Sequence, residues 1–345
     1  VVTGTVASGT VEKAEPLQII PGNTDCKIRG LQVHGEDAEQ VHAGQRAAIN
    51  IQNIPRDSIK RGMMLTKPGT IRESLMLDAR CRIVETLGAQ VKNRAQIRFH
   101  SGTAEILGRL IIMDKEHLEK GDEANVQIRL LEPAATLPGD RFIIRSYSPV
   151  ITLGGGYILD PYPSKHKRFK PETIKHFSRL DSSNPQDRLQ AWLVAAEYGL
   201  TSPEVQRYFP DPDIDVDSVV NKSLKNGLAR ALGSENELLI SEETYFKFSR
   251  KVSGVVHEFH SKNPLRPGIS REAIRTSLKP QPPVEFFGPF MTEMLSSSDL
   301  METKSLIHEP GFQIALSQEQ SSALEKITGF LASAGASGTS LQSIQ

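Results

Sequence analysis

The pattern of hydrophobic and polar residues changes its period near residue 160 of this 345-residue chain. Before that point, Val and Ile recur in short runs separated by turn sequences such as Pro21-Gly22-Asn23 and Pro138-Gly139-Asp140. Short apolar runs at this spacing predict antiparallel β-barrels or sandwiches. The strand pattern restarts after Pro68-Gly69, so we predict two antiparallel β-barrels, over residues 1–68 and 69–160. The clearest predicted strands cover residues 17–21, 46–51, 106–112, 124–130 and 141–145.

Residues 161–171 are predicted to form a basic, proline-rich linker. Its prolines disfavour a continuous helix, and we expect its cations to keep it solvated. Four of these cations surround one aromatic residue, Phe169, and they are Lys165, Lys167, Arg168 and Lys170. Such a cluster can neutralise phosphates while the ring stacks on a base, which makes the four cations candidate RNA contacts. A solvated linker without any ligand is the alternative, and the sequence leaves both open.

Beyond the linker the apolar residues follow a helical period. Leu189, Trp192 and Leu193 form an apolar stripe that predicts a helix over residues 186–198. A second helix is predicted to begin with Ser202 as its N-cap, a third covers 219–231, and residues 237–240 form a short strand. Three helices followed by a β-ribbon are typical of a winged helix, the helix-turn-helix variant. We therefore predict an α+β winged-helix module over residues 172–243.

A second winged helix is predicted over residues 244–316. Its helices are expected at 245–262, after the N-cap Ser270, and at 286–296, followed by a hairpin of 306–308 with 312–314. Ser317 is expected to cap the first helix of a third, truncated module over 317–345. The chain begins inside a strand without an initiator Met, so we also expect its N-terminal part to be missing.

Composition narrows the function classes. Lys and Arg number 41, Asp and Glu number 41, and a formal net charge of zero argues against a polyanion binder that relies on bulk charge. Two cysteines far apart, Cys26 and Cys81, indicate neither a disulfide framework nor a metal site and favour a reducing compartment. No apolar run reaches the roughly 18 residues that a membrane span needs. We expect a cytoplasmic monomer without a membrane partner.

Motifs for catalysis are incomplete. Gly4 and Gly9 have the spacing of a phosphate-binding loop, but the required lysine is missing, which favours a β-turn. His257 and His260 lie three apart without an HExxH motif, so a solvated helix face is favoured over a metal site. Residues 154–156, a run of three glycines, indicate a crowded backbone bend. We predict no catalytic residue, no metal ligand and no cofactor within this chain.

Several segments resemble those of a known family and occur in the same order along the chain. Residues 1–11, 28–34, 43–51 and 59–63 resemble the second domain of translational GTPases of the elongation factor Tu type. Residues 139–149 and 152–156, combined with the helical tail, resemble the bacterial selenocysteine-specific elongation factors. The resemblance is detailed over 1–160 and mainly architectural over 172–345.

This resemblance implies a GTP-dependent factor that delivers selenocysteinyl-tRNA to the ribosome at recoded UGA codons. In the family, the first domain binds GTP and Mg and hydrolyses the nucleotide, and the last winged-helix modules bind an mRNA hairpin. This chain would lack both parts, and it should have no GTPase activity alone. Its partners would be selenocysteinyl-tRNA, the ribosome and, through the missing modules, the selenoprotein mRNA hairpin.

The resemblance also assigns Arg46 to the selenocysteine pocket, with His34 as a lesser candidate. A selenol has a lower pKa than a thiol, so a selenolate favours a cationic, donor-rich pocket. From the residues alone, a solvated Arg46 and a surface-turn His34 stay open as alternatives. A different class of function also stays open: a winged-helix regulator that binds nucleic acid through Asn221, Lys222, Lys225, Asn226 and Arg230 and uses its barrels for protein contact.

Overall fold

The computed structural model describes residues 1–52, 54–88, 90–233, 238–314 and 318–334. The chain divides into two compact units, Val1–Ala229 and Arg230–Gln345. This division lies inside the range 172–243 that the sequence predicts for the first winged helix. Among the described helices, none combines the length and the apolar character that crossing a bilayer requires.

The first domain consists of short strands around one apolar core. Its strands are β1 (Val2–Thr5), β2 (Thr10–Glu12), β3 (Pro16–Ile20), β4 (Thr24–Val33), β5 (Glu36–Ala38), β6 (Gln40–His42), β7 (Arg46–Gln52) and β8 (Met64–Thr66). A sheet runs in the order β1-β7-β4-β3-β8, with β5 paired to β4, and β2 and β6 form a separate ribbon. Val11 and Val41 of the ribbon pack into the same core as Leu31 and Ile49 of the sheet, so sheet and ribbon enclose it together.

The second domain is a closed barrel in the order β11-β12-β14-β9-β16-β15. Its region contains β9 (Glu73–Ile83), β10 (Val91–Lys92), β11 (Ala95–Ser101), β12 (Ala104–Ile112), β13 (His117–Leu118), β14 (Glu123–Ala135), β15 (Arg141–Ser146) and β16 (Thr152–Asp160). Leu77, Ala79 and Cys81 of β9 alternate into the core, which explains why a period-2 pattern forms a strand here. The predicted strands in this domain are confirmed.

The three glycines of β16 lie where the backbone of a neighbouring strand leaves no room for a side chain. A Cβ on Gly156 would lie 1.8 Å from the carbonyl oxygen of Arg80, and one on Gly154 would lie 2.2 Å from that of Arg82. Only a residue without a side chain tolerates such approaches. The expectation of a crowded backbone is confirmed.

The helical region follows the linker. Its elements are α1 (Pro171–Leu180), α2 (Pro185–Ala195), β17 (Leu200–Thr201), α3 (Ser202–Arg207), α4 (Val216–Lys225), β18 (Ala229–Leu232), β19 (Leu238–Ser241), α5 (Glu242–Lys262), α6 (Arg271–Ser277), α7 (Val284–Ser296), β20 (Met301–Thr303), β21 (Leu306–His308) and α8 (Gln318–Ala334). The sequence pattern missed α1, which begins directly at Pro171. Ser270 caps α6 as predicted, since its side chain accepts a hydrogen bond from the Ala273 amide.

Two local predictions about the helix ends of this region are wrong. The N-cap of α3 is Thr201 rather than Ser202. The Glu204 carboxylate accepts a hydrogen bond from the Thr201 amide at 3.0 Å, as in a capping box. The third helix ends at Lys225 rather than 231, because Gly227 takes a left-handed φ of +65° that terminates a helix.

The hairpin of the second copy is also displaced from its prediction. Residues 306–308 pair with Met301–Thr303 and not with 312–314. Lys304 and Ser305 between these strands both have positive φ, as a tight two-residue hairpin turn requires. Ser317, the expected cap of α8, lies outside the described residues.

Candidate functional site

Arg46 and His34 lie at the same end of the first domain's sheet. Arg46 is the first residue of β7 and pairs with Thr5 of β1. Val33, the last residue of β4, pairs with Ala47, so His34 and Arg46 are the next positions beyond this pair. The fold thus brings together the two residues that the resemblance selects.

The Arg46 side chain lies on the outer face of the sheet. Ala47 and Ile49 alternate into the core, whereas Arg46 is exposed. Within the described ranges, its guanidinium has no hydrogen-bond or ion-pair partner, so its donors are available to an anion. His34 is exposed as well and takes a φ of +54° in the turn that it forms with Gly35.

The linker is not a solvated connector, and this expectation is wrong for its central part. Arg168 donates from Nε to the Ile112 carbonyl at 2.6 Å and from Nη2 to the Lys115 carbonyl at 2.7 Å. The Phe169 amide donates to the Met113 carbonyl at 2.9 Å. These bonds hold the linker against the barrel, so Arg168 serves as a structural anchor rather than as a free cation.

The three lysines of the linker are placed differently from Arg168. Lys165, Lys167 and Lys170 are exposed, and among the described residues their ammonium groups have no ion-pair partner. The Arg168 guanidinium lies 4.6 Å from the centre of the Phe169 ring and covers one of its faces. The lysines therefore retain the predicted role as candidate phosphate contacts, while the Phe169 ring already has a cationic neighbour.

A buried polar cluster between the barrel, the linker and α1 was missed by the sequence analysis. Asp78 is fully buried, and its Oδ2 lies 2.6 Å from His166 Nε2 of the linker. Asp160 is 2% exposed, and His176 of α1 lies next to His166 with a ring-centre separation of 5.2 Å. Positions 78, 166 and 176 have no sequence spacing that marks a site, so their meeting follows from the fold alone.

Burial perturbs the ionisation of this cluster. Desolvation, helped by the negative charge of Asp78, raises the pKa of Asp160 to about 7. Burial and the neighbouring His166 lower the pKa of His176 to about 4, which keeps its imidazole neutral at neutral pH. Burial opposes the charged form of His166, but the hydrogen bond and charge of Asp78 raise its pKa overall.

Comparison with known families assigns three separate regions. Residues 1–66 match a model described as elongation factor Tu domain 2. Residues 78–165 match the β-barrel domain of the selenocysteine-specific elongation factor. Residues 254–308 match the winged helix of elongation factor SelB. The matches have the same order along the chain as the domains described above.

Similar proteins agree with these matches. The selenocysteine-specific elongation factor of Desulfomicrobium baculatum is 28% identical over 326 residues, which cover 93% of this chain and 51% of that protein. The one from Haemophilus influenzae is 22% identical over 328 residues, covering 93% and 50%. Elongation factor Tu 2 of Streptomyces avermitilis is 25% identical over 158 residues, or 45% of this chain and 40% of that protein. The chain spans about half the length of the two selenocysteine-specific relatives.

Among solved structures, a crystal structure of the bacterial selenocysteine-specific elongation factor EF-Sec superposes with a TM-score of 0.63 at 18% sequence identity. The superposition covers 94% of this chain and 49% of that one. This likeness supports the fold, with two β domains followed by winged-helix modules.

Proposed function

We propose that this chain, whose domains resemble those of the selenocysteine-specific elongation factors, holds the aminoacyl end of selenocysteinyl-tRNA beside Arg46. The observation that carries the proposal is the position of Arg46 at the exposed end of β7, with His34 at the neighbouring strand end. Both lie within the elongation factor Tu domain 2 match, over residues 1–66.

The chemistry of the amino acid supports this assignment. Selenocysteine is ionised at neutral pH, whereas serine on the same tRNA is neutral. A guanidinium offers five donors and a permanent charge, so it stabilises a selenolate more than a hydroxyl. Because the Arg46 donors are not used by other described side chains, the selenolate does not have to displace an existing partner.

The proposal extends to the whole factor of which these domains would be part. From the resemblance to the family, we infer delivery to the ribosome, GTP hydrolysis with Mg in a preceding domain, and binding of an mRNA hairpin by further modules. Lys165, Lys167 and Lys170 are proposed to contact the RNA backbone as point charges. From the same family resemblance we also propose a cytoplasmic location.

The alternative, a winged-helix regulator that reads nucleic acid, is not favoured by the structure. The N-terminal residues of a recognition helix approach the bases. Here α4 begins at the N-cap Asp215, continues with Asp217, and follows Asp211 and Asp213, which repel phosphates. Arg230 lies on β18 rather than on the helix and pairs with Glu242 at 2.6 Å and Glu293 at 3.0 Å.

The test compares Arg46→Ala with the unmodified chain in binding selenocysteinyl-tRNA and seryl-tRNA. We expect the variant to lose about tenfold more affinity for the selenocysteinyl form than for the seryl form, since one charge-assisted hydrogen bond is worth about 1.5–3 kcal/mol. Arg29→Ala is a matched control, because Arg29 is also exposed on β4 but lies five residues from His34. Equal losses for both tRNAs would assign Arg46 to general backbone binding and contradict the proposal.

A further inference from the structure

Three neighbouring strands of the barrel carry a row of buried polar side chains on their outer face. Asp78 of β9 pairs with Gln127 of β14 on one side and with Asp160 of β16 on the other. Leu77 and Ala79 point into the barrel core, so Asp78 points outward. The three polar residues are nevertheless 2% exposed or less. Burying such groups is unfavourable unless each of them has a partner.

The partners of Asp78 orient its carboxylate. Gln127 Nε2 donates to Asp78 Oδ1 at 2.9 Å and also to the Ser164 carbonyl at 2.9 Å. Gln127 Oε1 accepts from Arg129 Nε and Nη2 at 3.3 and 3.0 Å, which fixes the direction of the amide. The remaining oxygen, Asp78 Oδ2, therefore faces His166.

His176 adds a third donor to this arrangement. Its Nε2 is buried and, among the described residues, has no hydrogen-bond partner. One ligand atom each from Asp78, His166 and His176 can be chosen so that all three lie within 4.8 Å of one another. A buried imidazole nitrogen without a partner, beside a carboxylate and a second imidazole, leaves a lone pair or a proton unsatisfied.

We propose that Asp78, His166 and His176 bind one divalent transition metal ion of the Zn²⁺ type. Two imidazole nitrogens and one carboxylate oxygen are a donor set that such ions prefer in proteins. Ligand atoms of a tetrahedral ion lie about 3.4 Å apart, given metal–ligand distances of about 2.1 Å. The 2.6 Å between Asp78 Oδ2 and His166 Nε2 would have to lengthen to this value, and separations of up to 4.8 Å would have to shorten to it, which side-chain rotation provides.

Two features around the three ligands favour a bound cation: the negative charge of the carboxylates and the hydrogen bond that orients Asp78. The ion would offset the negative charges of Asp78 and Asp160, which face each other across neighbouring strands. The bond from Gln127 holds the ligating carboxylate in place, the role that hydrogen-bonded neighbours have at metal sites. The His166 proton now shared with Asp78 would be released on binding.

The ligands come from β9, the linker and α1. An ion bound to all three would connect the linker and the first helix to the barrel, in addition to the Arg168 anchor. The site would be structural, holding in a defined direction the helical part that follows the barrel within Val1–Ala229.

The experiment uses the full chain after exhaustive chelation and dialysis. Zn²⁺ is titrated while calorimetry gives the stoichiometry and the unfolding temperature gives stability, and Co²⁺ is added separately for its visible absorption. His176→Gln is the decisive variant, because within the described ranges His176 Nε2 has no hydrogen-bond partner whose loss would disturb the apo fold. His117→Gln is the matched control, an exposed histidine of the same barrel.

We expect one Zn²⁺ per chain, a rise in unfolding temperature, and an affinity at least tenfold weaker in His176→Gln but unchanged in His117→Gln. The Co²⁺ complex should show the absorption of a nitrogen–oxygen site without a thiolate band, since Cys26 and Cys81 are not ligands. Absence of saturable binding to the unmodified chain would overturn the proposal. An equal affinity in the unmodified chain and in His176→Gln would overturn it as well.

Discussion

At the scale of single residues, burial makes a histidine a determinant of how stability depends on pH. His260 of α5 is 5% exposed and stacks on Phe312 with a ring-centre distance of 3.6 Å. Neither of its ring nitrogens has a hydrogen-bond partner among the described residues. The sequence placed it on a solvated helix face with His257, and this interpretation is wrong for His260, which is part of the packing of its unit.

The stability of the Arg230–Gln345 unit should fall as the pH falls below about 6.5, the ordinary His pKa. Burial lowers the pKa of His260; Glu309 opposes this shift, while His308 and His257 add to it. The folded unit therefore binds fewer protons than the unfolded one, so stability is full above that pH and is lost on acidification. Hydrogen exchange of α5 between pH 5 and 8 measures this loss of stability. The fluorescence of Trp192, the single tryptophan of the chain, follows the unfolding of the other unit.

The matched variants separate His260 from the other titrating groups. His260→Phe should flatten the pH profile of exchange in α5, because the ring packing remains and the titration is removed. His257→Gln, an exposed position beside Glu309, should change the profile only slightly and leave it pH-dependent, since burial is the largest cause of the His260 shift. A profile that is equally steep in His260→Phe would show that another group is responsible.

At the scale of elements, the linker is part of the barrel's structure rather than a spacer. Its backbone and side chains form hydrogen bonds with β12 and the segment that follows, and Thr173 Oγ1 of α1 donates to the Lys167 carbonyl at 3.0 Å. The three prolines and four cations of the linker predict a solvated segment. In the structure, one cation, Arg168, is bound to the barrel, and the three lysines are exposed. The division depends on which side of the linker faces the barrel.

Arg168→Gln is expected to lower the free energy of unfolding of the barrel region by about 2 kcal/mol. The substitution removes two short charge-assisted bonds to carbonyls, each of which contributes about 1.5–3 kcal/mol, with partial replacement by water. Chemical denaturation followed by circular dichroism measures the change. Lys167→Gln, next to it and exposed, should change the stability by no more than about 0.5 kcal/mol. Equal effects of the two substitutions would refute the anchor assignment.

At the scale of the whole molecule, a net charge of zero makes local charge decisive. The proposed affinity for RNA would therefore come from places where cations gather without acidic partners, and not from a general attraction. The three exposed lysines of the linker form one such place in the described part of the chain. The start of α4, by contrast, carries the carboxylates of Asp215 and Asp217, which repel phosphates.

Changing Lys165, Lys167 and Lys170 together to Gln should lower the salt dependence of tRNA binding. Each phosphate contact contributes about 0.7 to the slope of log K against log salt concentration on single strands and slightly more on duplexes, so we expect the slope to fall by about 2. Binding at several salt concentrations measures it. Lys222→Gln with Lys225→Gln is a control at another exposed basic position, and an unchanged slope in the triple variant would leave the linker lysines without an RNA role.

The sequence by itself determined the classes of element, because strand alternation, helix caps and turn residues are local properties. It predicted the β domains and the order of the helices after α1, and the resemblance added Arg46 and His34 as candidates. The tertiary structure alone decided that β4 and β7 are neighbours, which places these two residues side by side. It also decided that Asp78, His166 and His176 meet, and that Arg168 faces the barrel. These outcomes depend on strand register and on packing between distant segments, and neither has a local signal in the chain.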